Sequence, residues 1–283
     1  MTSIDRRRQV RTDQVMGTVA SIHLIVDRSA SSEDAALPEE LEVAVRACFD
    51  ELHDLDRVFS TYRPDSDVSR LRAGELDLAS ADPRVALVHG ACVEAKQATG
   101  GLFDAWHQGW FDPTGYVKGW AIETAAERAL RPLLGRAGVQ AVGLGVGGDM
   151  QLYTAPGSDW SWGVGIADPR RAGEVVATVE VRTGAVATSG TAERGSHIVD
   201  PRTGSPALSV ASATVVADGV TEADLWATTA VIAGFHDLSW ITAPRVQSGL
   251  VVSPTGAVRR FAQGVELTTL GGSASVPHLP PAA

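Results

Sequence analysis

Gly143-Leu144-Gly145-Val146-Gly147-Gly148, followed by Asp149-Met150-Gln151-Leu152-Tyr153, is the stretch on which the fold class turns. Its glycines match the G-x-G-x-x-G spacing of a dinucleotide-binding fingerprint. That fingerprint requires a helix at once after it, because the pyrophosphate rests on the helix N-terminus. Here the residues after Gly148 read as a strand that stops at Pro156. A doubly wound nucleotide-binding sheet is therefore set aside. The glycines are left as a plain tight turn or as a point where backbone approaches a ligand closely.

Outward from this stretch the pattern is mixed. Upstream, Ala20, Ile22, Leu24 and Val26 recur with the period of a half-buried strand. Leu41, Val45, Cys48, Leu52, Leu55 and Phe59 form one stripe of a helix starting at Glu39. Asp82-Pro83 opens a second helix with an N-cap and a first-turn proline, ending near Gly100-Gly101. A third is expected from about Val117 to Leu130, before Pro132. Short β segments then dominate from Val139 to Val216, with a hairpin expected around Arg182-Thr183-Gly184. One more helix starts near Thr221, and strands return near Leu250–Val252 and Val258–Phe261. The elements do not alternate as βαβ, so the fold class is α+β.

The chain has 283 residues, 44% hydrophobic and 20% charged, with a net charge of -10. That is enough for a sizeable core, and the acidic balance excludes a general nucleic-acid binder. A phosphorylated ligand would have to be met locally, by a lysine, backbone amides or a metal. Cys48 and Cys92 sit at core-facing helical positions and read as buried free thiols. No run reaches transmembrane length, so no membrane insertion is expected. Met1–Val15 holds Arg6, Arg7 and Arg8 without an apolar stretch behind them, which reads as a frayed terminus. The expected location is cytoplasmic.

Three motifs carry chemistry. Asp112-Pro113-Thr114-Gly115-Tyr116-Val117-Lys118-Gly119 is a turn entering a helix, where a lysine can meet a phosphate; alone, Lys118 reads as a solvated side chain. His197-Ile198-Val199-Asp200-Pro201-Arg202-Thr203-Gly204 sets a histidine before a tight turn, where it can serve as a general base or simply hydrogen-bond. Thr221-Glu222-Ala223-Asp224 has the shape of a capping box. Thr228 follows Asp224 by one helical turn, so the carboxylate and hydroxyl share a face that could bind a hard cation such as Mg²⁺.

Taken together and in order, these motifs resemble the ApbE family of FAD:protein FMN transferases. The resemblance runs from about Met16 to about Val265. It includes Met16-Gly17-Thr18, Phe59-Ser60-Thr61-Tyr62 leading to Ser69-Arg70-Leu71, Gly101-Leu102-Phe103-Asp104, and Gly147-Gly148-Asp149. Ala187-Thr188-Ser189-Gly190 and Ala223-Asp224-Leu225 belong to it too. It implies mixed sheets flanked by helices in a single large domain. The expected bounds are a flexible N-terminus over 1–12, a flavin transferase domain over 13–270 and a disordered tail over 271–283.

The resemblance also implies roles. Asp224 and Thr228 match side-chain metal ligands, and Gly115 matches a ligand through its backbone carbonyl. Lys118 contacts the cofactor. Met16, Ser60, Thr61, Tyr62, Asp104 and Ile198 line the FAD pocket. His197 and Asp224 are the catalytic candidates. The implied reaction is Mg²⁺-dependent transfer of FMN from FAD to a threonine or serine hydroxyl of an acceptor flavoprotein, releasing AMP. A Mg²⁺-dependent FAD pyrophosphatase and a non-catalytic FAD-binding protein are the alternatives.

Two departures stand out. Only Ala105–Phe111 separates Asp104 from Asp112, where the family has a longer segment that helps wall the flavin site. Trp106, Trp110 and Trp120 offer either replacement stacking surface or ordinary core packing. Gly145 stands where asparagine is common, which removes a side-chain hydrogen bond near the cofactor.

Overall fold

The computed structural model of the chain describes residues 6–27, 37–190, 198–268 and 278–279. In chain order its strands are β1 (Arg6–Val15), β2 (Thr18–Asp27), β3 (Val139–Val146), β4 (Asp149–Thr154), β5 (Trp162–Ala167), β6 (Val175–Val181), β7 (Gly184–Gly190), β8 (Val199–Asp200), β9 (Ser205–Pro206), β10 (Ser212–Ala217), β11 (Val246–Val252), β12 (Val258–Ala262), β13 (Val265–Leu267) and β14 (His278–Leu279). The α-helices are α1 (Glu39–Phe59), α2 (Asp67–Ala73), α3 (Pro83–Ala98), α4 (Thr114–Ala125) and α5 (Val220–Ala233).

A nine-stranded antiparallel sheet runs β1-β2-β3-β4-β7-β10-β11-β12-β13. Its central strands are covered on both faces. Ala20, Ile22, Leu24 and Val26 of β2 enter the core shared with α1, α3 and α4. Ile25, on the opposite face of β2, packs with Leu152 and Leu250 against Trp162, Val164 and Ile166 of β5 and Val179 and Val181 of β6. β10 is buried at all six positions because it is covered on both sides; its polar members are only the small Ser212 and Thr214, and the Thr214 hydroxyl is paired with that of Thr188 at 2.8 Å. α5 lies against β7, β10 and α4 and closes a third cluster with Trp240 and Phe261. One sheet common to every layer makes this a single α+β domain, as the sequence implied.

Several elements form where the sequence places them. The α1 stripe is buried from Leu41 to Phe59, and Glu39, Glu40 and Glu42 complement its N-terminal dipole. Asp82 caps α3 by accepting the Arg84 N–H at 2.9 Å, with Pro83 in the first turn. Cys48 and Cys92 are buried and free. After Gly148 the chain enters strand β4, not a helix, through a turn with Gly147 at φ 57 and Gly148 at φ 97.

Other expectations are corrected. Residues 6–12, read as part of a flexible terminus, are strand: β1 pairs with β2 from Arg6–Asp27 to Val15–Thr18. The tail over 271–283 lies outside the described residues except for 278–279, which pair in parallel with β6. Arg182-Thr183 is not a hairpin turn. β6 and β7 follow one another but belong to different sheets, so the turn carries the chain between layers. The third helix starts earlier, at Thr114, and continues through a π-helical turn over Ala126–Leu130.

Candidate active site

A cleft of about 830 Å³ opens between the α1–α2 loop, the segment from Leu102 to Lys118, α5 and the β8 strand. Met16, Ser60, Thr61, Tyr62, Asp104, Gly115, Lys118, Ile198, Asp224 and Thr228 all line it. His197 lies outside the described residues. Its chain neighbours Ile198 and Val199 border the cleft.

Local sequence explains each placement. Met16 and Gly17 turn β1 into β2 with φ of 54 and 71, so Met16 occupies the left-handed region that a side chain normally avoids. Ser60, Thr61 and Tyr62 follow the last turn of α1. Their loop is fastened by Ser66, which donates to the Ser60 carbonyl at 2.6 Å and caps α2 by accepting the Ser69 N–H at 3.0 Å. Tyr62 stands 93% exposed at the mouth. Asp104 accepts the Trp106 N–H at 2.9 Å and pairs with Lys96 at 2.8 Å. Burial tends to raise its carboxyl, but the Lys96 and Trp106 contacts outweigh it and leave Asp104 below the usual range. Gly115 lies under Phe103, where a Cβ would come within 3.2 Å of the ring.

The floor of the cleft is a charged triad. Lys118 Nζ lies 2.5 Å from Asp149 Oδ2 and 3.5 Å from Asp224 Oδ1. The contact with Asp149 is an ion pair. Asp149 is fully buried, and its Oδ1 accepts the Thr188 N–H at 3.0 Å. Asp224 is 3% exposed. Burial pushes its carboxyl up to about 7, Lys118 pulls it down, and the neighbouring Asp149 charge adds to the rise. Asp224 Oδ2 has no hydrogen-bond partner. One turn further along α5, Thr228 shares a 3.0 Å hydrogen bond with Ser189.

The capping box is corrected here. α5 begins at Val220, with Gly219 as N-cap and no side-chain cap. The Val220 N–H donates to Gln151 Oε1 at 2.8 Å, and the Thr221 N–H to Glu123 Oε2 at 2.9 Å. Groups from β4 and α4 thus satisfy the helix start, and Asp224, more than a turn in, faces the cleft. α4 comes close enough for this because residue 119 is glycine. A Cβ there would lie 2.8 Å from the Val220 carbonyl oxygen.

The tryptophans do not line the cleft. Trp106 packs on His89 and Phe111 at 5.0 and 5.4 Å, Trp120 on Phe59 at 5.6 Å, and Trp110 beneath the Arg72 guanidinium at 4.1 Å. The short segment instead brings His107 and Gln108 to the rim. Gly145 sits within β3 opposite Ser21 and Met150 and is not a lining residue. Asp149, Glu123 and Ser189 have site contacts that no local sequence pattern signals.

Orphaned Asp224 Oδ2, the Thr228 hydroxyl and the Gly115 backbone, on the packed helices α5 and α4, border one cleft and could together offer oxygen donors. Among the described residues there is no cluster of three His, Cys, Asp or Glu side chains. One carboxylate with neutral oxygens and open positions suits a hard cation such as Mg²⁺, which keeps water and phosphate oxygens among its ligands.

The sequence model of the ApbE family matches residues 16–112 and 107–249. A curated FAD:protein FMN transferase from Rhodobacter capsulatus is 35% identical over 153 residues, half of this chain. The match spans only 28% of that relative's length. Among solved structures, an ApbE protein from Thermotoga maritima superposes with a TM-score of 0.71 at 22% identity, covering 90% of this chain and 97% of that one. Flavin transferase ApbE from Vibrio cholerae gives 0.67 at 18% identity, with coverage of 91% and 97%. The apo form of Pseudomonas stutzeri flavinyl transferase ApbE gives 0.67 at 20%, with 91% and 95%. At these identities the structures speak for the fold.

Proposed function

We propose, because this chain belongs to the ApbE family, that it transfers the FMN half of FAD to a threonine or serine hydroxyl of an acceptor flavoprotein, with Mg²⁺ as cofactor. The observation that carries this reading is the orphaned, buried Asp224 oxygen, in one cleft with Thr228, Gly115 and Lys118. A divalent cation held there supplies Lewis-acid neutralisation of the pyrophosphate oxygens. Asp224, Thr228 and the Gly115 carbonyl would hold it. Lys118 faces the phosphates from the side of Asp149.

Met16, Ser60, Thr61, Tyr62, Asp104 and Ile198 line the remainder of the cleft and take the flavin half. The acceptor hydroxyl oxygen forms a bond to phosphorus as the bond to the AMP oxygen breaks. His197 receives the hydroxyl proton in this scheme. The products are AMP and a protein bearing FMN through a phosphodiester.

The test is to incubate the chain with FAD, Mg²⁺ and a candidate acceptor domain, then read flavin fluorescence on a denaturing gel while AMP is quantified. A heat-stable fluorescent acceptor band with matching AMP is expected, and Asp224→Ala should abolish both. AMP formed without a band for any acceptor means hydrolysis. FAD bound with neither product means a flavin-binding protein.

A further inference from the structure

We infer that Asp149 is a positioning residue that holds Lys118 away from Asp224, so that Asp224 stays open to a cation. The inference rests on the reading of Asp224 as a cation ligand.

Three charged groups meet at the floor of the cleft, and their distances are unequal. The Lys118 ammonium is drawn to 2.5 Å from Asp149 and stops 3.5 Å from Asp224. Lysine is a compact charge on a flexible stem. At 3.5 Å Lys118 is only loosely paired with Asp224 Oδ1, and a shift of under about 1 Å would tighten this into a short charge-assisted hydrogen bond. Such a pair would occupy the carboxylate with a resident cation and compete with any divalent ion arriving there.

Asp149 prevents this because it cannot follow the lysine. It is the first residue of β4, fixed by the Gly147-Gly148 turn before it. Its second oxygen is tied to the Thr188 N–H. It is fully buried, so water does not weaken its pull. Lys118, one quarter exposed, is thus kept at the wall of the cleft, where it can face phosphate oxygens.

The test counts bound Mn²⁺, as a Mg²⁺ surrogate, by loss of the free-ion electron paramagnetic resonance signal, without FAD. Asp149→Asn keeps an oxygen for the Thr188 N–H but removes the charge facing Lys118. Asp149→Asn should weaken Mn²⁺ binding about tenfold or more, the range typical of groups that orient metal ligands. Adding Lys118→Met removes the competing ammonium. The double variant should return to within about threefold of wild type or bind tighter, a rescue that loss of structure would not give.

Thermal melts identify folded samples, and the double variant, which removes both charges together, decides the matter even if the single one unfolds. Unchanged binding in Asp149→Asn, or a double variant that binds more weakly than this range, overturns the inference. If wild type binds Mn²⁺ no better than Asp224→Ala, it is the underlying reading of Asp224 that fails, and the inference falls with it.

Discussion

Gly119→Ala adds one methyl group where α4 crosses α5. The new Cβ would lie 2.8 Å from the Val220 carbonyl oxygen, 3.0 Å from Thr221 Cα and 3.1 Å from Asp224 Cβ. Ordinary Cβ contacts begin near 3.4 Å, and none of these three atoms is the far end of a flexible side chain. The helices must therefore part by a few tenths of an ångström. Overpacking of this kind costs about 1–3 kcal/mol. Alanine in place of a helical glycine returns about 1 kcal/mol, so the net loss should be up to about 2 kcal/mol.

Function should suffer more than stability. α4 carries Gly115 and Lys118, and α5 carries Asp224 and Thr228, so the separation acts across the proposed donor set. Misplacement by 1 Å can cost about a hundredfold in rate, and a fraction of that should cost about tenfold. The control is Gly90→Ala in α3, where a Cβ meets nothing within 4 Å. That variant should gain about 0.5–1 kcal/mol. Urea unfolding midpoints and the rate of acceptor flavinylation are the two readouts. If Gly119→Ala matched Gly90→Ala in stability and wild type in rate, the close crossing would have no part in shaping the site.

Glu123→Ala leaves the Thr221 N–H at the start of α5 without its partner and should cost about 1 kcal/mol, lowering Tm by about 2–4 °C. Glu123→Gln, which keeps an acceptor oxygen, should lose less; equal losses would point to another cause. The Arg84 guanidinium holds the Asp82 carboxyl below its ordinary value of 3.8. Its contribution is present above that value and is lost as pH falls through the lower folded one. Unfolding free energies of Asp82→Asn should fall less than those of wild type between pH 5 and 2, by under about 1 kcal/mol; parallel curves would contradict the pairing. Burial pushes the Cys48 and Cys92 thiols up to about 12. Neither should react with a disulfide reagent until the chain unfolds, and prompt labelling of native protein would contradict their burial.

What the sequence revealed depended on how local the cause was. α1 shows itself because its apolar stripe is periodic, and α3 because Asp82 and Pro83 mark its start. β1 shows no alternation of apolar and polar residues. As an edge strand it presents arginine, glutamine and threonine on half-exposed faces and draws its order from pairing with β2. α2 is seven residues long and buries only Val68, too little for a period. Arg182-Thr183-Gly184 has real turn chemistry, but whether the flanking strands pair is decided by the layers they join. The same limit applies at the site. Asp224 and Thr228 are legible because one helical turn separates them. Glu123 and Asp149 act on residues distant in sequence: Asp149 is visible only as the end of the Gly147-Gly148-Asp149 motif, and nothing local names Lys118 as its partner.

The charge of the cleft gives a further reason for an imported cation. Asp56, Asp104, Asp112 and Asp224 line it, and Lys118 is the one lysine or arginine among the described lining residues. Lys96 is paired with Asp104, and Lys118 is already drawn to Asp149. A diphosphate entering such a cleft meets more negative charge than the side chains can balance. The cation and FAD should therefore bind cooperatively, each offsetting repulsion felt by the other. Coupling between such sites is commonly about 5- to 150-fold. Saturating Mg²⁺ should tighten FAD binding, followed by flavin fluorescence, by about tenfold or more in wild type and hardly at all in Asp224→Ala. An FAD affinity in wild type indifferent to Mg²⁺ would mean that the phosphates lie elsewhere in the cleft, away from the Asp224 carboxylate.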